Sequence, residues 1–91
     1  MEEMTVNPAV LKTVRASTGL TQREFAALLG IAFRTYQNWE TGTRRCPEHV
    51  YRMMVRILAP MQTNGVDIRR AAWEYGILYG LLDPEDSPYK E

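Results

Sequence analysis

Ninety-one residues, 45% hydrophobic and 24% charged, make one small domain, since chains divide into domains of about 100 to 200 residues each, and a multidomain enzyme is thereby excluded. A chain this short buries only about two-thirds of its unfolded surface, so its core is thin and a partner subunit is a common source of added stability. The formal net charge is zero, but residues 12–56 carry eight basic against three acidic side chains and residues 57–91 carry three against six, which makes a basic body with acidic ends.

In chain order, Pro8 suits the first turn of a helix, where its missing N–H costs nothing, and Val10, Leu11 and Val14 recur on one face until Gly19 stops the run. Thr21 followed three residues later by Glu24 is a capping-box pattern, so a second helix starts there, buries Phe25, Ala26, Leu28 and Leu29, and closes at Gly30. A tight connection leads to a third helix with Tyr36 and Trp39 inward, ending near Gly42. Pro47 is expected to restart helical structure, with Val50, Met54, Ile57, Leu58 and Met61 on one face. Asn64-Gly65 is a turn signal, and Ile68, Ala71, Ala72 and Tyr75 read as a fifth helix. Periodicity leaves Ile77 to Leu82 open between helix and strand, and Asp83-Pro84 and Ser87-Pro88 mark a polar, loose tail. The fold class expected is all-α, a compact bundle of about five short helices with a C-terminal extension of undefined structure. Residues 1–63 are the body, and 64–91 are the C-terminal helix and tail.

Two helices joined by a tight glycine-containing turn form a helix-turn-helix, whose second helix is able to enter the major groove. The run Thr21-Gln22-Arg23-Glu24-Phe25-Ala26-Ala27-Leu28-Leu29-Gly30-Ile31, then Trp39-Glu40-Thr41-Gly42 and Arg44-Arg45-Cys46-Pro47, closely resembles the phage repressor/Cro-like (XRE) helix-turn-helix family over about residues 9 to 58. The resemblance implies a lambda-repressor-like fold and a sequence-specific regulator, of repressor type, that binds double-stranded operator DNA.

It also implies an ion pair between Arg15 on the first helix and Glu40 at the end of the third. With Tyr36 and Trp39 inward, the helix period turns Phe33, Arg34, Gln37, Asn38 and Thr41 outward. By resemblance, Phe33, Arg34, Gln37 and Asn38 then meet base edges: Arg34 suits guanine, Gln37 or Asn38 adenine, and Phe33 a thymine methyl. Phosphate contacts are expected from Gln22, Arg23, Thr43, Arg44 and Arg45. Ala32 departs from the family pattern, which has Ser or Thr there as N-cap, so the start of the third helix is expected to be less firmly fixed.

Competing chemistry is thin. Cys46 and His49 are the only cysteine and histidine, too few for a disulfide or for four metal ligands from one chain, and no base-orienting carboxylate makes them a catalytic pair. No glycine-rich phosphate loop occurs, so no cofactor and no enzyme activity are expected. No apolar run reaches a membrane span, the opening is not a basic signal start, and the cysteine usage suits the cytoplasm. The apolar load of Ile68, Trp73, Tyr75, Ile77, Leu78 and Tyr79 exceeds what a four-helix core needs and marks a homodimer contact. Truncation after Gln62 is then expected to give a monomer in which the helix-turn-helix still folds. The alternative is an antitoxin-like or scaffold module whose C-terminal segment holds another protein.

Overall fold

The computed structural model describes residues 5–63 and 68–89, and the Asn64-Gly65 turn lies outside them. Five helices carry the fold: α1 Pro8–Thr18, α2 Gln22–Leu29, α3 Phe33–Thr41, α4 Glu48–Thr63 and α5 Ile68–Leu78. An all-α bundle is what the helical periodicity predicts. Local chemistry sets the first boundaries. The Asn7 carboxamide oxygen accepts from the Ala9 N–H (2.8 Å), and Pro8 occupies the first turn. At α2 the capping box is complete: Thr21 Oγ1 accepts from the Glu24 N–H (3.1 Å), and Glu24 Oε1 accepts from the Thr21 N–H (2.9 Å). The helix closes with the Ile31 N–H on the Ala26 carbonyl (2.9 Å) and the Gly30 N–H on that of Ala27 (3.1 Å). No side chain caps α3, because Ala32 has none to offer.

Two short features depart from the sequence reading. Thr5–Val6 (β1) and Cys46–Pro47 (β2) pair antiparallel, with Val6 opposite Cys46 and Thr5 opposite Pro47. Pro47 therefore lies in an extended pair, and α4 begins one residue later, at Glu48. A two-stranded ribbon has only edge strands, where a residue without an N–H is tolerated.

The open segment Ile77 to Leu82 divides. Helix α5 stops at Leu78, and Gly80 adopts the left-handed conformation (φ 70°) that residues with a β-carbon avoid. The Leu81 N–H reaches back to the Gly76 carbonyl (2.7 Å) and the Gly80 N–H to that of Ile77 (3.1 Å), which satisfies the end of the helix. Leu82 then folds over Gly76, where any β-carbon would overlap its side chain. The tail expected to be loose is anchored. Asp83 caps a 3-10 turn at Pro84–Asp86, Ser87 is buried, and the Arg70 guanidinium stands 5.9 Å from the centre of the Tyr89 ring.

One core joins all five helices. Leu11, Phe25, Tyr36 and Met54 are fully buried, and Leu58, Met61, Ala72, Trp73 and Leu82 continue the same cluster. Phe25 meets Tyr36 edge-on at 5.3 Å, and Tyr36 meets Trp39 at 6.5 Å, so an aromatic file sets the angle between α2 and α3. Helix α5 packs on α1 and α4.

Candidate nucleic-acid interface

The inward side of α3 is held by charge. Arg15 Nε donates to Glu40 Oε2 (2.7 Å) and Nη2 to Oε1 (3.3 Å), while Nη1 donates to the Leu20 carbonyl (3.0 Å). The Glu40 side chain is 1% exposed and that of Arg15 25%, so the fork is shielded from water on the carboxylate side. Burial alone would raise the Glu40 carboxyl. The hydrogen bonds from Arg15 and Gln22, the nearby Tyr36 hydroxyl and the Arg15 charge together outweigh it and hold the group below the usual carboxylate range. The same pairing raises Arg15 further, against a smaller opposing effect of burial. Tyr36 is raised far above its ordinary value, first by burial and then by the neighbouring carboxylate. Its hydroxyl is directed at Glu40 without completing a hydrogen bond of good geometry.

Gln22 is part of this cluster. Its Nε2 donates to Glu40 Oε1 (3.1 Å), so the amide nitrogen expected on a phosphate is turned inward. Spacing alone gives no sign of this, because the two residues are 18 positions apart.

The opposite side of α3 is open. Arg34 and Thr41 are exposed, and Phe33, Gln37 and Asn38 are half-buried. Thr35, not singled out by the helix period, is exposed beside Arg34. Phe33 lies under the guanidinium of Arg23, 4.2 Å from ring centre to the guanidinium carbon. After Gly42 the chain is tied back by the Arg44 N–H on the Asn38 carbonyl (3.2 Å) and by the paired hydroxyls of Thr41 and Thr43 (2.9 Å). These bonds leave the Arg44 and Arg45 side chains exposed, beside the α1 N-terminus at Asn7 and Pro8. A family model, helix-turn-helix, matches residues 11–48. The matched stretch is similar to the repressor/Cro-like (XRE) helix-turn-helix family. No curated protein and no solved structure matches the chain. The helix-turn-helix is a DNA-binding element, and the matched stretch contains the Arg15–Glu40 pair, all of α2 and α3, and Arg44-Arg45.

The residues expected at a dimer contact separate into two groups. Trp73 is 4% exposed and packs in the core of its own chain, which removes it from any surface. It lies on α5, which packs on α1 and α4, a docking that so broad an apolar surface does not disclose. Leu78 (76% exposed) and Tyr79 (62%) stand outward, with the Tyr75 ring 4.6 Å from that of Tyr79, and Ile68, Tyr75 and Ile77 are half-buried. Beside them a groove between α4 and α5 is lined by Ile57, Pro60, Met61, Ala71, Tyr75 and Leu78.

Cys46 is buried, and burial pushes its thiol up to about 11, which keeps it protonated and a poor nucleophile. Among the described residues no three His, Cys, Asp or Glu side chains gather as a metal ion requires, and no helix is long and apolar enough to cross a membrane.

Proposed function

We propose that this chain is a cytoplasmic, sequence-specific double-stranded DNA-binding transcription regulator of repressor type, acting as a homodimer on operator DNA. The observation that carries the reading is the two-sided character of α3. Glu40 and the aromatic file fix its inner side, while Arg34, Gln37 and Asn38 line the other, with Arg44 and Arg45 just beyond its end. Occupancy of an operator that overlaps a promoter then blocks polymerase sterically. In this reading Phe33, Arg34, Gln37 and Asn38 meet bases, and Thr43, Arg44 and Arg45 hold the adjoining backbone. Salt titration of binding to bulk duplex DNA tests the reading, since a DNA reader loses affinity steeply as salt rises. A flat response would favour the protein-interaction alternative.

The two classes of arginine should behave differently. Arg34→Ala is expected to lose about 1–3 kcal/mol of discrimination at one base position, with a smaller loss on random duplex. Arg44→Ala and Arg45→Ala should weaken all sequences alike and flatten the salt slope by about one unit each. Selection from a random duplex pool, followed by salt titration of each variant, separates these outcomes.

One recognition helix reads only a few base pairs, so a specific operator calls for two, about 34 Å apart on one face of the DNA. Residues 1–63 are assigned to DNA reading and 64–91 to the twofold contact. The exposed Leu78 and Tyr79 support this, because large apolar side chains open to water on adjacent positions suit an interface core. The double variant Leu78→Glu/Tyr79→Lys is expected to sediment as a monomer that still unfolds in one cooperative transition, at a lower temperature because the partner's contribution is lost. An unchanged dimer would move the contact to another surface.

A further inference from the structure

Arg23 differs from the other exposed arginines of known partner. Arg52 pairs with Glu48 and Arg70 with Glu74, each one helical turn away. Arg23, in the first turn of α2, stacks on Phe33, the first residue of α3, and has no carboxylate partner among the described residues. The contact joins the entry ends of the two helices of the motif. It also ties down the first turn of α3, which Ala32 leaves without a side-chain cap.

A guanidinium over a ring is attracted to its negative face, and stacking covers the flat face of the cation while its N–H edge stays free in the plane. The Arg23 guanidinium carbon stands 4.2 Å from the centre of the Phe33 ring, little more than the rise of about 3.4 Å between successive base pairs. Two side chains held this close together reach neighbouring bases and not distant ones. Each member has a natural target: a guanidinium edge forks onto O6 and N7 of guanine, and an apolar ring packs on the methyl group of thymine.

Resting on the DNA-binding reading above, we propose that Arg23 and Phe33 act as one composite reader of a step in which thymine and guanine are neighbours. Arg23 is then a specificity residue and not the phosphate contact its sequence position suggests. The stack holds the guanidinium before DNA arrives, so less rotamer freedom is lost on binding. A point charge at position 23 would serve a phosphate equally well but would not form the fork or the stack.

The test is selection from a random duplex pool with the full chain, followed by titration of the selected site with wild type, Arg23→Lys and Phe33→Leu. The expected result is a thymine next to a guanine in the wild-type site. Arg23→Lys should lose about tenfold of the preference for that guanine, while binding to random duplex changes less than about twofold. Phe33→Leu, with its fold checked by circular dichroism, should narrow the difference between thymine and deoxyuridine at the neighbouring position, where only the methyl group is removed. Equal weakening of all sequences by Arg23→Lys would place Arg23 on a phosphate and overturn the proposal. So would effects of the two variants at positions that are not adjacent. Wild-type protein that selects no sequence would overturn the operator reading itself, and the composite reader with it.

Discussion

Arg15→Ala is expected to cost about 3–5 kcal/mol in urea unfolding, because it leaves the Glu40 carboxylate buried without its counter-charge. The Glu40 side chain is 1% exposed and is held between α1, α2 and α3. Glu40→Ala leaves no deeply buried charge behind. Arg15, at 25% side-chain exposure, still reaches water and keeps the Leu20 carbonyl, so its loss should be smaller. A double-mutant cycle should show coupling above about 1 kcal/mol. Coupling within error of zero would mean that the fork adds nothing beyond the packing of its two stems.

Acid dependence gives the same pair a second test with a defined sign. The folded Glu40 carboxyl titrates below its unfolded value, so its contribution is complete above the unfolded value of about 4.3 and fades only as pH falls through the lower folded one. In Arg15→Ala the desolvation of Glu40 is no longer outweighed, and its folded titration moves above the unfolded one. That variant is penalised most at neutral pH and recovers as acid protonates the group. The stability gap between wild type and Arg15→Ala should therefore narrow steadily from pH 7 toward pH 3. A constant gap would assign the loss to packing and not to charge.

The parts of this fold that were legible in the sequence are those determined within a few residues. Thr21 and Glu24 specify the start of α2 by hydrogen bonds three positions apart, and Gly30 and Gly42 mark helix ends through their own backbone angles. The outward side of α3 follows from the helix period once Tyr36 and Trp39 are inward. Contacts between distant positions left no such trace. The β1–β2 pair joins segments about forty residues apart and is two residues long, shorter than any periodicity. Gln22 at the start of α2 has the right position for a phosphate, and only the fold places Glu40 where its carboxylate takes the amide. The Arg15–Glu40 pair was legible through family resemblance, not through spacing. In Ile68 to Leu82 apolar residues spread over more of the helix surface than one buried face needs, so the choice of Trp73 for the core and of Leu78 for the surface depends on where α1 and α4 lie.

That choice reverses the outcome expected of a truncation. Trp73→Ala should cost about 3–5 kcal/mol, the range for removing a large buried aromatic side chain. A domain of 91 residues has a total stability of roughly 5–14 kcal/mol, so this one change removes a large share of it. Ending the chain after Gln62 deletes Ala72, Trp73 and Leu82 from the core together and takes away the Arg69 stem that lies against Gly19 at the end of α1. The inner faces of α1 and α4 would then meet water. The truncated chain is expected to lose its cooperative thermal transition and to bind a hydrophobic dye, and not to persist as a folded monomer. A sharp melt of residues 1–62 would show that α5 is an accessory to the motif. Without one, α5 carries two separate loads, with Trp73 closing the core beneath the helix-turn-helix and Leu78 and Tyr79 facing outward. A substitution at the outward pair then tests association without disturbing the fold, which a truncation is unable to do.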